Sequence, residues 1–181
     1  MLGRTDPISL YVIISVASVA IVTDLWRNRI YNWLTLPAIL AGIAASGFFG
    51  GWQDTGNALL GAAVGFMLYG WMFWMGAMGA GDVKLLMAMG AWGGLHYVLQ
   101  VGVLGILLGG AMAFGILLFT GRAPGFLRRM YHFILTLFIK ELEVEVPKID
   151  HSQKMPFGVS LAVAAIWVAL ANPFESMGLH L

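Results

Sequence analysis

From Val83 to Thr120 the chain carries a single Lys, Lys84, and no Arg, Asp or Glu. About 20 apolar residues cross the hydrocarbon core of a bilayer, so a run of about 38 is too long for one crossing and too apolar for water. It is predicted to form two helices, broken near Gly93-Gly94-Leu95-His96. That gives an unusually short helix at about 83–95 and a longer one at about 97–120. Apolar runs at about 8–26, 30–49, 57–78 and 156–171 fit the same pattern. Pro37 falls inside the second, where neighbouring helices can satisfy the freed carbonyl. The expected fold is an all-α membrane protein, a single polytopic domain over residues 1–181 with six transmembrane helices. Composition agrees: charged residues are 10% of the chain, against roughly 25% in ordinary soluble domains.

The connections are short, with one exception. Arg27-Asn28-Arg29 reads as a tight basic turn and residues 50–56 as a polar turn. Gly79-Ala80-Gly81 reads as a non-helical link ending in Asp82, with the next helix following at once. Residues 121–155 form the one long polar loop. Inside it, residues 126–139 are apolar with basic ends, too short to span, and are expected to lie as an interfacial helix on membrane lipid. The amino terminus holds Asp6 as well as Arg4 and is not read as a signal peptide. Cysteine is absent, which excludes disulfides and thiolate chemistry. The four histidines lack helical i, i+3 or i+4 spacing, so no metal site is expected.

Cytoplasmic loops concentrate Lys and Arg. Six crossings would put Arg27, Arg29, Lys84, Arg122, Arg128, Arg129, Lys140, Lys148 and Lys154 on one side and only Arg4 on the other. The first side is therefore expected to be cytoplasmic, with both termini opposite. Asp24 would then end the first helix, and Asp82 begin the fourth, at the same depth on the cytoplasmic side. Ionisable groups at such depths are costly and read as functional by default. Of the other acids, Asp6, Asp54 and Glu175 fall on the far side, and Glu141, Glu143, Glu145 and Asp150 lie in the charged loop.

Two neighbouring carboxyl groups do not both ionise cheaply; they share a proton and titrate as a unit. The ionised partner can activate water, while the protonated one polarises a peptide carbonyl and later protonates the leaving amine. Such chemistry needs no cofactor, metal or covalent intermediate. Simpler readings exist. Asp82 can act as the N-cap of its helix, and Asp24 can snorkel towards Arg27 or Arg29. An ion- or proton-coupled small membrane carrier would use the same carboxylates, although both lie on one face rather than along a path. An inactive scaffold of the same fold is a third reading. Lys84 is expected to face headgroups or pair with a carboxylate. The pairs Gly61/Gly65, Gly90/Gly94 and Gly105/Gly109 read as packing faces. Trp26, Trp33, Trp71, Trp74 and Trp92 read as interface anchors.

Asp24-Leu25-Trp26-Arg27-Asn28-Arg29-Ile30-Tyr31-Asn32-Trp33-Leu34-Thr35 resembles the first motif of the type IV prepilin peptidases. Gly79-Ala80-Gly81-Asp82-Val83-Lys84-Leu85 resembles their GxGD motif, and Lys154-Met155-Pro156-Phe157-Gly158 the opening of their last span. Tyr31 departs from the family, where many members have proline. The resemblance implies a catalytic dyad of Asp24 and Asp82 facing the cytoplasm from the inner membrane. It further implies that Gly79, Gly81, Lys84, Arg29, Asn32, Pro156, Phe157 and Gly158 shape the site or bind substrate. The implied substrate is the leader of a prepilin or pseudopilin, cut between its basic leader and its apolar helix; no nucleic acid is implied. Longer members carry an amino-terminal cytoplasmic domain, often with a cysteine cluster, and also methylate the new terminus. This chain resembles the short, peptidase-only branch of Flp/Tad-type pili, so methyl transfer is not expected. Nothing in the sequence fixes an oligomeric state.

Overall fold

In a computed structural model the protein is described at residues 7–76, 78–119 and 157–171. These residues form four helices and no strand: α1 Pro7–Arg27, α2 Asn32–Trp74, α3 Ala80–Phe119 and α4 Phe157–Ala171. The chain divides into two compact units. One holds residues 1–109 and 156–181 and contains every contact discussed below. The other, residues 110–155, enters the described structure only as the last residues of α3. The expected interfacial helix at 126–139 and most of the loop at 121–155 lie outside the described residues.

Helices α2 and α3 each fold back at one glycine. Gly51 has φ 73°, ψ −162°, and Gly94 has φ 79°, ψ −172°. That combination is open essentially to glycine alone, because a Cβ would clash with its own backbone. Contacts on either side establish the reversal. On a straight helix Gly42 and Gly61 would be about 28 Å apart. Yet a Cβ on Gly42 would meet Ala91 and Trp92, and one on Gly61 would strike Gly90. Likewise Leu86 and Gly102 would be about 24 Å apart on a straight helix, but a Cβ on Gly102 would lie 3.6 Å from Leu86 Cδ2. Asn57 serves the second fold: its Oδ1 accepts from Leu95 N–H at 3.2 Å, capping the returning arm.

The predicted break near Gly94 is therefore present. The polar turn expected at 50–56 contracts to Gly51, because residues 52–56 are already helical. Asp54 and Thr55 are polar, but a helix's first turn favours such groups. Helix α2 also ends earlier than expected, at Trp74, and Gly76 in the left-handed region (φ 75°) closes it. α3 begins at Ala80 rather than at Val83, which places Asp82 inside the first turn.

α1, α2 and α3 are each long and apolar enough to cross a membrane; α4 is a shorter apolar helix. Their packing has the composition of a membrane protein. The buried positions are rich in small residues, among them Ala17, Ala20, Ala62, Ala88, Ala91, Ala162, Ala164 and Ala165. Large apolar side chains such as Phe48, Trp52 and Leu107 point outward. In lipid, apolar surface gains nothing by leaving the solvent, so close backbone approach and van der Waals contact hold helices together. The Gly61–Gly90 crossing is the tightest case, since a Cβ on either would meet the other's backbone carbonyl. α1 packs chiefly on α4. Trp26, Trp33, Trp71 and Trp74 are exposed, but Trp92 is 9% exposed and its Nε1–H donates to Ala38 O at 2.8 Å. Gly42 leaves the room for that indole, so Trp92 joins two helices instead of anchoring at an interface.

Candidate active site

Asp24 occupies the last turn of α1, at the end of its buried stripe Ser9, Ile13, Val16, Ala17, Ala20. The side chain is 5% exposed. It does not snorkel outward with the exposed Arg27 and Arg29; its Oδ2 accepts from Val159 N–H in the first turn of α4 at 3.1 Å. The carboxylate thus leaves the unfavourable negative end of its own helix and meets the positive end of another. Gly158 makes this approach possible: a Cβ there would lie 2.8 Å from Asp24 Oδ2 and 2.5 Å from Ile30 Cδ1. The α1–α2 connection is short because Asn28, at φ 48°, turns the chain and its N–H bonds Asp24 O at 2.8 Å.

Asp82 is half-buried and held differently. Its Oδ2 accepts from Gly79 N–H at 3.2 Å, and its own N–H donates to Gly79 O at 3.1 Å. Gly79 is therefore the N-cap, and Asp82 is the third residue of the helix reaching back, one half of a capping box. The N-cap role considered for Asp82 belongs to Gly79. The carboxylate is anchored through one oxygen close to its own backbone.

Ile30 sits between the backbone next to Asp82 and the backbone next to the group that holds Asp24. A Cβ on Gly81 would lie 2.9 Å from Ile30 Cβ, and Ile30 Cδ1 is the same group that a Cβ on Gly158 would strike. Lys84 Nζ donates to Asn32 Oδ1 at 2.8 Å, linking the first motif to the second across 52 residues of sequence. The bond shown is thus to a neutral amide rather than to a carboxylate. Beside it an apolar groove of about 280 Å³ is lined by Leu36, Ile39, Phe66, Phe73, Ala80, Val83, Lys84 and Met87.

Of the expected site residues, Asp24, Asp82, Gly79, Gly81, Lys84, Asn32, Phe157 and Gly158 fall around this one region. Arg29 is exposed on the α1–α2 connection. Pro156 lies outside the described residues. Three contributors escaped the sequence reading: Ile30, the Val159 backbone and Tyr69. Tyr69 is fully buried and stacks edge-to-face on Phe157 at 5.8 Å. It is the lone hydroxyl in the apolar run 57–78, a signal that was available.

Residues 11–114 match the model of the type IV leader peptidase family. The chain belongs to that family. Among curated proteins it is similar to the prepilin leader peptidase/N-methyltransferase of Aeromonas hydrophila, 30% identical over 154 residues covering 81% of this chain and 43% of the relative. A protein of the same name from Xanthomonas campestris is 30% identical over 152 residues, covering 80% and 43%. Another from Pseudomonas putida is 34% identical over 87 residues, covering 42% and 30%. The chain thus spans less than half the length of the relatives it matches. No solved structure matches it.

Proposed function

We propose that this leader peptidase family member is an intramembrane aspartyl endopeptidase that removes the leader of prepilin or pseudopilin precursors. Asp24 and Asp82 would be its catalytic pair. The observation that carries the reading is that Ile30 packs both on Gly81, next to Asp82, and on Gly158, next to the Val159 N–H that holds Asp24, so two acidic motifs distant in sequence come to one place. The ionised carboxylate takes a proton from a water, which attacks the scissile carbonyl carbon. The protonated carboxyl gives its proton to the carbonyl oxygen, leaving a tetrahedral diol. The C–N bond then breaks as the amine is protonated, and the pair returns to its shared-proton state. The apolar groove beside Lys84 lies alongside the turn bearing Asp82 and suits the apolar stretch that follows a prepilin leader.

In this reading α1, the two arms of α2, the two arms of α3, and α4 would supply six crossings. The charge distribution supports a cytoplasmic site with both termini opposite, in the inner membrane. We further propose that the chain serves a Flp/Tad-type pilus and acts without methyl transfer. The relatives' name joins both activities, so that last point is tested separately, by mass measurement of the processed pilin. A processed terminus without an added methyl group is expected.

The deciding experiment is co-expression with a candidate prepilin. Asp24→Asn and Asp82→Asn keep side-chain size and should each abolish leader removal, by more than about 1,000-fold, while the protein accumulates normally. Processing by either variant would refute the assignment.

A further inference from the structure

Tyr69 is wholly buried in the returning arm of α2, and its hydroxyl donates to Gly102 O at 2.9 Å. Gly102 O belongs to the returning arm of α3. A phenol buried without a partner is costly, and here the neighbouring helix is shaped to receive it. A Cβ on Gly105 would lie 2.7 Å from the Tyr69 oxygen. One turn on, Gly109 makes room for the Phe157 ring. The Tyr69 and Phe157 rings meet edge-to-face, centroids 5.8 Å apart at 67°, the geometry aromatic quadrupoles favour. Phe157 opens α4, and two residues later Val159 N–H holds Asp24.

We infer that Tyr69 is a positioning residue of the peptidase, a strut that fixes the α4 amino terminus, and through it Asp24, against the returning arm of α3. The inference rests on the aspartyl reading above. Tyr69 touches neither substrate nor the reacting atoms in this role. It sets where the Val159 N–H stands, and a displacement of about 1 Å in such a support costs on the order of 100-fold in rate. A tyrosine that merely glued α2 to α3 would affect how much protein folds, not how fast each folded molecule turns over.

The test measures kcat and KM on purified full-length protein in lipid with a prepilin substrate. It compares wild type, Tyr69→Phe, Phe157→Leu and the double variant. Tyr69→Phe keeps the ring and loses only the bond to Gly102. It should fold in normal yield, lower kcat about tenfold and leave KM unchanged. Phe157→Leu should do the same, and the double variant should be no slower than the slower single one, because both act through one strut. A Tyr69→Phe enzyme with kcat within twofold of wild type would overturn the inference. So would multiplicative losses in the double variant. Asp24→Asn and Asp82→Asn run alongside. If they cleave, the aspartyl reading fails; if they are dead while Tyr69→Phe is unimpaired, only the strut fails.

Discussion

The carboxyl end of α1 and the amino end of α3 each present one carboxylate, but they hold it by opposite means. Asp82 is fixed locally, by a backbone group three residues away in its own first turn. Asp24 is fixed remotely, by a backbone N–H 135 residues away in sequence. The first arrangement forms whenever the helix forms. The second exists only once α1 and α4 have docked, Gly158 has let them close, and Phe157 has been seated. Asp24 is therefore the partner whose setting is sensitive to packing, and Asp82 the one sensitive to its own turn.

That contrast can be broken at graded strength. Gly90→Leu attacks the α2–α3 crossing that carries the Asp82 end, since a Cβ there already strikes the Gly61 carbonyl. It should prevent stable accumulation altogether, measured by membrane immunoblot, consistent with the largest overpacking penalties. Gly158→Ala should leave accumulation near normal yet slow cleavage about 100-fold. Its methyl would lie 2.8 Å from Asp24 Oδ2 and must displace either the carboxylate or α4. Gly79→Pro deletes the N–H that bonds Asp82. A loss of about tenfold in kcat is expected, the value of one hydrogen bond to a charged acceptor. Lys84→Met removes the link to Asn32 and retains the stem; a two- to fivefold loss in single-turnover rate is expected. If Gly158→Ala and Gly79→Pro proved equally mild, remote and local fixation would not differ in kind.

The sequence made much of this visible where a single residue type decides. A glycine was needed to divide a largely apolar run of 38 residues, and Gly94 divides it. The two aspartates stood out because charge is scarce near membrane depth. Polarity misled at residues 52–56, where helix-starting groups look like a turn. The N-cap of α3 was misplaced by three residues, because capping depends on backbone dihedrals that composition does not encode. Val159 was invisible for a stronger reason. It contributes a backbone N–H, which every residue but proline owns, and only the docking of α4 on α1 selects it. Tyr69 was visible as an oddity in an apolar run, but its partners come from helices 33 and 88 residues further along. Spacing within one element cannot reveal such a relation.

The most direct measurement bypasses activity and asks whether the two positions share one site. The chain has no native cysteine, so an Asp24→Cys/Asp82→Cys variant in native membranes carries just two thiols. A short homobifunctional thiol reagent should join them within one molecule, at high yield, and a control pairing Asp24→Cys with the outward-facing Trp52→Cys should stay unjoined. Failure of the first pair to join, with both thiols individually reactive, would contradict the shared site and the peptidase chemistry built on it.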